Sequence, residues 1–310
     1  MVQRRVGKHV VASAITAAVL FASGQALADP PAATPTPEPT PGPAPAQTPV
    51  PTPPLERGQH FTIDPVADGL LITAGAGISG LLTLVLGTGE IPPMPPGNPS
   101  NLLSFDRTAV TQTIDTSAST VANVILYSSV GFAVLDPILS GLHDGWDAGL
   151  VDAVMYAETL SLTEALTDIT KIAVRRPRPI DYVNCYGKPT TAPGCGSTNL
   201  QLSFFSGHAA TVAAISATAT YIAFERYSDT QPARPWITLG VGTALTAFVS
   251  YERVRSGDHF PTDVVGGAIA GAVIGVLVPH LHRHKSEAPP VWIGGAPMPG
   301  GGSMTLGGVF

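Results

Sequence analysis

The chain has 310 residues, a formal net charge of −6 and 44% hydrophobic residues. A net negative charge argues against a nucleic-acid-binding surface, although it does not exclude a local site for phosphate. The length accommodates one large or two small domains. We predict one folded domain, over residues 59–285.

The first segment, residues 1–28, is basic and then apolar. Basic side chains precede an uncharged run from Val10 to Phe21, and Ala26-Leu27-Ala28 follows. This order is typical of a secretory signal peptide. An N-terminal membrane anchor is the alternative, and the shortness of the apolar run argues against it. We therefore expect an exported protein of the periplasm or cell envelope.

Proline-rich segments flank the predicted domain. Residues 29–58 alternate proline with threonine and alanine, which favours extended polyproline and cannot bury a core. We predict a stiff linker there, with a ligand for a proline-binding module as the alternative. Residues 286–310 are rich in glycine and proline, with Gly300-Gly301-Gly302 between two weakly alternating segments. A loose tail and a single hairpin both fit this pattern.

The domain is predicted to be an all-α bundle of six helices. Its apolar runs lack the alternation of strands and are separated by proline- and glycine-rich turns. The predicted helices are Val66–Leu86, Asp106–Leu142, Leu150–Val174, Gly207–Arg226, Trp236–Arg253 and Pro261–His282.

The surroundings of this bundle, water or lipid, are left open by the sequence. Gly267, Gly271 and Gly275 recur every fourth residue, as in closely packed membrane helices. Acidic residues within Leu150–Val174 would be costly in hydrocarbon. Most uncharged stretches are also shorter than the ~20 residues that a span needs. We favour a compact bundle outside the cytoplasm that rests on a membrane.

Cys185 and Cys195 are the only cysteines of the chain, and both lie in a predicted loop. In an exported protein such a pair is expected to form a disulfide. Closing this small loop would contribute ~2–3 kcal/mol on the chain-entropy model. Two free thiols are the alternative, and a metal pair would need further ligands nearby.

Three short clusters supply groups that bind and attack a phosphate. In the first, Lys171 lies near a helix end and Arg178 follows Pro177, which ends the helix. Two such cations can flank one anion, although a basic helix terminus is the more common explanation for this cluster alone.

The second cluster, Ser206-Gly207-His208, precedes an alanine-rich helix. Ser206 is a suitable N-cap, and the first N–H groups of a helix donate to anions. Gly207 allows a close backbone approach, and His208 would lie beside the anion to protonate a leaving oxygen. Read alone, this cluster is an ordinary helix start.

The third cluster runs from Arg253 to Asp263. Pro261 marks a helix start, which puts His259 at its mouth and Asp263 one turn later. Asp263 can then hold one ring nitrogen of His259 and leave the other free as a nucleophile. Arg253 adds a third cation. A helix-capping His and Asp pair is the alternative.

In this order the clusters resemble the type 2 phosphatidic acid phosphatase superfamily, which includes bacterial acid phosphatases and vanadium haloperoxidases. Its pattern is Lys-x6-Arg-Pro, Pro-Ser-Gly-His and Ser-Arg-x5-His-x3-Asp. The chain departs from it at Phe205, in place of proline, and at Glu252, in place of serine. Glu252 adds a negative charge near the site, which brings its affinity for phosphate into question. The matching residues are Lys171, Arg178, Pro179, Ser206, Gly207, His208, Arg253, His259 and Asp263.

The resemblance implies a metal-independent phosphatase acting on phosphate monoesters, lipid phosphates or diphosphates. His259 would form a phosphohistidine with Asp263 orienting it, and His208 would protonate the departing alcohol and then activate water. It implies no cofactor, with vanadate as a phosphate mimic. The expected partner is a phosphorylated small molecule or a lipid phosphate, and membrane association stays open. The implied phosphate ligands are Lys171, Arg178, Ser206, Gly207 and Arg253.

Two other functions are alternatives to this interpretation. One is a vanadium-dependent haloperoxidase, whose chains are usually much longer. The other is a catalytically silent envelope protein that binds phosphorylated ligands. His280, His282 and His284 also alternate beside basic residues, but a polar helix end explains them better than a metal site. We predict no metal site.

Overall fold

A computed structural model describes residues 60–88, 91–283, 292–298 and 301–307. The predicted signal peptide, residues 1–28, and the predicted linker, residues 29–58, lie outside the described residues. Within these ranges the all-α bundle is confirmed as the fold of the domain. Its helices are α1 (Pro65–Gly87), α2 (Ser104–Thr111), α3 (Thr116–Asp144), α4 (Trp146–Val174), α5 (Pro179–Cys185), α6 (Gly207–Tyr227), α7 (Ala233–Arg255) and α8 (Pro261–His282).

One predicted helix, Asp106–Leu142, is wrong as a single element. The chain forms α2 and α3 instead, separated by residues 112–115. Asp115 caps α3, because its side chain accepts a hydrogen bond from the Ser117 N–H at 2.9 Å. The short helix α5 was also expected to be loop. The long predicted helices otherwise differ from the observed ones by a few residues at their ends.

Helix α4 is the central element, since it packs against α1, α3, α6 and α8. Its acidic side chains have partners on these neighbours. Arg226 donates to Asp152 at 2.6 Å, and both side chains are fully buried. The Thr211 hydroxyl donates to Glu164 at 2.6 Å. The expected cost of these carboxylates in hydrocarbon is therefore offset by pairing inside the bundle.

Helices α6 and α8 lie close together along a stripe of glycines. A Cβ on Gly271 would overlap the carbonyl oxygen of Ala210, and one on Gly275 would overlap that of Ala214. The close-packing face predicted from Gly267, Gly271 and Gly275 is therefore present. At the start of both helices, the Ser206 N–H donates to the Asp263 carbonyl at 3.1 Å. This contact fixes the two motif-bearing ends against each other.

Within the part of the chain that the structure describes, three helices, α1, α3 and α8, are long and apolar enough to cross a membrane. Large apolar side chains on them are exposed, among them Leu84 at 69% and Val124 at 59%. An apolar surface of this extent favours contact with lipid. Membrane association follows from these helices. These three helices therefore reach the length of a span, whereas the sequence had favoured a bundle that only rests on a membrane.

The C-terminal segment contains an antiparallel hairpin, one of the two forms left open by the sequence. Strand β1 (Trp292–Met298) pairs with β2 (Gly301–Gly307), with Trp292 opposite Gly307. Cys185 and Cys195, which were expected to pair, form a disulfide with their Cα atoms 5.6 Å apart. This disulfide closes the loop that follows α5.

Candidate active site

The three predicted clusters meet where α4 and α7 end and α6 and α8 begin. Ser206 caps α6, and a Cβ on Gly207 would lie 3.5 Å from the Lys171 Nζ. His259 follows the end of α7, with its N–H donating to the Arg253 carbonyl at 3.2 Å. We call the predicted phosphate ligands the phosphate cradle: Lys171, Arg178, Ser206, Gly207 and Arg253.

Two arginines of the cradle are joined by a carboxylate. Asp258 accepts from Arg178 Nη1 at 2.8 Å, and its other oxygen lies 3.0 Å from Arg253 Nη1. Arg178 also donates from Nε to the Asn199 carbonyl at 2.9 Å. These contacts hold both guanidinium groups in place. They also put one negative charge inside a strongly positive site.

The ring of His259 is oriented by a backbone carbonyl. Nδ1 lies 2.7 Å from the Ser203 oxygen, and because a carbonyl only accepts, Nδ1 carries the proton. Nε2 is left with its lone pair. The residue is 2% exposed, and this burial, reinforced by the cations of the cradle, holds the pKa of His259 well below its usual range. The imidazole is therefore neutral, and its Nε2 lone pair is available.

Asp263 lies near His259 but does not hydrogen-bond its ring as the sequence predicted. Its Oδ2 is 3.9 Å from the His259 Nδ1, because the Ser203 carbonyl occupies the predicted position. Asp263 instead accepts from the Phe260 N–H at 2.8 Å and from the Ser203 hydroxyl. It is a positioning residue that acts on His259 through Ser203 and the start of α8.

Arg176 anchors the same region from the loop after α4. It donates to Asp263, and to Asp106 on α2 at 2.7 Å. Its guanidinium carbon lies 4.1 Å from the centre of the Phe260 ring. Asp106 is fully buried and also accepts from the Thr262 N–H. Arg176 therefore has a structural role at the start of α8.

His208 is held by a residue of another helix. Its Nε2 lies 2.8 Å from the Asn123 Oδ1 on α3, which leaves Nδ1 for proton exchange. Burial lowers the pKa of His208 to about 3, and Arg253 and Lys171 contribute to the shift. Arg253, Lys171 and Arg178 lower the pKa of both imidazoles, so both lie within reach of the same cations.

The negative charge of Glu252, a departure from the family pattern, has its own partner. Both carboxylate oxygens accept from Arg255 Nη1, at 3.1 and 3.2 Å. Arg255 in turn pairs with Asp115. Glu252 is 3% exposed, so its charge is neutralised locally. The other departure, Phe205, is a buried apolar side chain.

The donor set of the site fits an anion. Three cations would repel a divalent metal, whereas a phosphate gains from each of them. Sequence reasoning missed Asn123, Ser203 and Asp258. Asn123 has a detectable signal, since it is a lone amide in an apolar helical run, and such residues often face a bundle interior. Asp258 could also have been found from the sequence, because it adjoins His259 within the third cluster. Ser203 acts through its carbonyl, which no side-chain pattern reveals.

Comparison with known proteins agrees with this geometry. The family model of the PAP2 superfamily matches residues 152–287, which include every motif residue. A lipid A 1-phosphatase of Rhizobium johnstonii is 33% identical over 119 residues, covering 38% of this chain and 43% of that protein. The match thus spans less than half of the relative's length. Over residues 152–287, the segment that carries the three clusters, the chain is therefore similar to the PAP2 superfamily.

A solved structure was also found to be similar. It is a transmembrane PAP2-type phosphatidylglycerolphosphate phosphatase from Bacillus subtilis, with 19% identity and a TM-score of 0.40. The alignment covers 70% of this chain and 94% of that one.

Proposed function

We propose that this protein is a phosphatase that hydrolyses phosphate monoesters of lipids through a phosphohistidine, with no metal in the reaction. One observation carries the proposal: a neutral His259 and a second imidazole, His208, share one set of cations. A phosphoryl group in transfer needs positive charge at its oxygens, a nucleophile in line and an acid for the leaving oxygen.

The first chemical step uses His259 as the nucleophile. Its Nε2 attacks phosphorus and the bond to the leaving oxygen breaks, giving a phosphohistidine and an alcohol. His208 donates the proton that this oxygen takes up. In the second step His208 accepts a proton from water, which attacks phosphorus and breaks the bond to Nε2. Inorganic phosphate is released and His259 regains its lone pair.

The pKa of His208 at about 3 is compatible with its role as an acid. The cradle cations contribute to this low value, and a bound phosphate dianion neutralises them. The phosphate therefore raises the pKa of His208 when a proton is needed. Binding of the substrate thus favours protonation of His208, which is neutral when the site is empty.

A lipid substrate is supported by an apolar groove beside the site. The groove has a volume of about 440 Å³ and lies between α3, α6 and α7. Val124, which lines it, is adjacent to Asn123, the partner of His208. Along α6, the groove residue Ile215 lies about 10 Å from His208. An acyl chain in this groove would bring its phosphate headgroup toward the cradle.

The test compares lipid and soluble phosphates on the full chain in detergent. Released phosphate is measured with phosphatidate, phosphatidylglycerol phosphate, lipid A 1-phosphate and p-nitrophenyl phosphate. Val241 lines the groove and is 55% exposed. We expect Val241→Trp to raise KM for the lipid substrate several-fold, because the indole fills the groove, and to leave p-nitrophenyl phosphate unaffected.

The matched control is Val134→Trp, since Val134 on α3 is 59% exposed and does not line this groove. It should change neither KM. An equal effect of both substitutions would remove the groove from the proposal. The absence of turnover with every phosphate monoester would remove the enzyme activity itself.

A further inference from the structure

A second cluster of titratable side chains lies at the far end of the bundle. Asp68 on α1, Glu158 on α4 and His282 on α8 are 6%, 3% and 7% exposed. One ligand atom from each lies within 4.8 Å of the others. His282 is about 28 Å along α8 from Asp263. We call these three residues the carboxylate–histidine cluster, and the proposed phosphatase chemistry does not use it.

The imidazole of His282 is oriented like that of a metal ligand. Its Nδ1 lies 2.8 Å from the Val278 carbonyl, so Nδ1 donates and Nε2 is directed at the carboxylates. Histidines that bind metals usually donate their second ring nitrogen in this way. The Asp68 carboxylate is oriented similarly, because its Oδ2 accepts from the Asp64 N–H at 2.8 Å.

The distances favour a metal over a shared proton. His282 Nε2 is 3.3 Å from the Asp68 Oδ2 and 3.4 Å from the Glu158 Oε2. A hydrogen bond between an imidazolium and a carboxylate is shorter, about 2.7–2.9 Å. Tetrahedral zinc with bonds of about 2.0–2.1 Å puts neighbouring ligand atoms about 3.3–3.4 Å apart.

Two atoms of the cluster are also unsatisfied. Among the described residues, the His282 Nε2 and the Glu158 Oε2 form no hydrogen bond. Their side chains are 8% and 4% exposed. Buried polar atoms in this state carry a desolvation cost that a ligand between them would remove.

We infer that Asp68, Glu158 and His282 bind one divalent first-row transition metal, with Zn²⁺ the best match. An imidazole nitrogen with carboxylate oxygens suits zinc better than magnesium or calcium, which prefer oxygen alone. Two carboxylates also neutralise the charge of a divalent cation, which a buried apolar setting requires.

The metal would attach α1 to the rest of the bundle. Along α1, which the structure describes in full, Asp68 and Gly75 are the buried residues. Asp68 is therefore one of few points where α1 is held, and a metal would join it to α4 and α8 at once. The role is structural and separate from the phosphate cradle.

The test measures metal content in the full chain purified in detergent without a polyhistidine tag. The protein is stripped with a chelator, supplied with Zn²⁺, passed over a desalting column and analysed by mass spectrometry of the metal. We expect one zinc per chain in the wild type. Because loss of an outer partner already costs about 10–100-fold in affinity, Glu158→Gln and His282→Asn should retain almost none.

His280→Asn is the matched control, since His280 is exposed on the same helix end and contacts Tyr221. It should retain the zinc of the wild type. Equal zinc in the wild type and Glu158→Gln would overturn the inference. A wild type that retains no zinc would also overturn the inference, and the cluster would then share a proton instead of a metal.

A second measurement avoids variants that fail to fold. Cobalt-loaded wild type should show the intense visible bands of a tetrahedral site, and X-ray absorption of the zinc form should report nitrogen and oxygen neighbours without sulfur. Six-coordinate spectra from both metals would contradict the cluster as the site.

Discussion

Two histidines near opposite ends of α8 share one orientation and differ in their electrostatic surroundings. In both, Nδ1 donates to a backbone carbonyl, that of Ser203 for His259 at 2.7 Å and that of Val278 for His282 at 2.8 Å. Both rings thus direct Nε2 toward a charged group of side chains. Around His259 the charges are cations, and around His282 they are carboxylates.

The difference shows how neighbours assign a role to the same side chain. Cations keep an imidazole unprotonated, which preserves a nucleophile for an anionic substrate. Carboxylates attract a cation to the lone pair, which favours a ligand. The backbone carbonyl determines which ring nitrogen keeps a lone pair. The surrounding charges determine whether that nitrogen faces an anionic substrate or a cation.

The largest effect should come from removing the nucleophile. His259→Ala should lower phosphate release by at least about 10³-fold, because it removes the nitrogen that is proposed to form the covalent intermediate. Initial rates with a lipid phosphate and with p-nitrophenyl phosphate provide the measurement. His280→Asn is the control and should keep full turnover. A residual rate within tenfold of the wild type would contradict the role of His259 as the nucleophile, and the contrast drawn with His282 would then fail.

An intermediate effect should follow from separating α6 from α8. Helix α8 has His259 near one end and His282 near the other. Gly271→Ala forces a Cβ against the Ala210 carbonyl, and overpacking of this kind costs about 1–3 kcal/mol. We expect a lower thermal midpoint in detergent and reduced turnover. Gly240→Ala on α7 is the control, because a Cβ there meets nothing within 4 Å. Equal shifts in the two variants would argue against the close contact.

The smallest effect should be on the pH profile. Burial and the cradle cations lower the pKa of His259, so the nucleophile stays unprotonated and kcat/KM should show no acid-side loss between about pH 5 and 8. The pKa of His208 is about 3, so its acid form becomes more abundant as the pH falls. We therefore expect kcat/KM to rise toward low pH.

His208→Asn separates this rise from ionisation of the substrate. The variant should be slow, and its remaining pH dependence should follow only the second ionisation of the phosphate, at about pH 6. A wild-type profile that falls below that point would mean that His259 becomes protonated, contrary to its cationic surroundings.

The sequence was sufficient for features that depend on local patterns. Apolar periodicity predicted most long helices, and the glycine spacing predicted a close-packing face on α8, although not that α6 packs on it. The motif residues were found because each lies at a helix end, where capping and anion-binding signals are concentrated. The break between α2 and α3 was missed because residues 112–115 contain neither proline nor glycine.

Contacts between distant elements were harder to predict. Asn123 on α3 meets His208 on α6, and Asp68 on α1 lies beside His282 on α8. The alternation of His280, His282 and His284 pointed to a polar helix end. The structure instead buries His282 against carboxylates, and only the packing of α1 and α4 on α8 shows this.

The carboxylate of Asp258 has a consequence for the end of the reaction cycle. In the proposed reaction it would compete with inorganic phosphate for two guanidinium groups, because it contacts both Arg178 and Arg253. Asp258 would then help to displace the phosphate product from the arginines. We therefore expect inorganic phosphate to be only a weak inhibitor of hydrolysis. Weaker binding of the phosphate product would in this way speed its release and favour turnover.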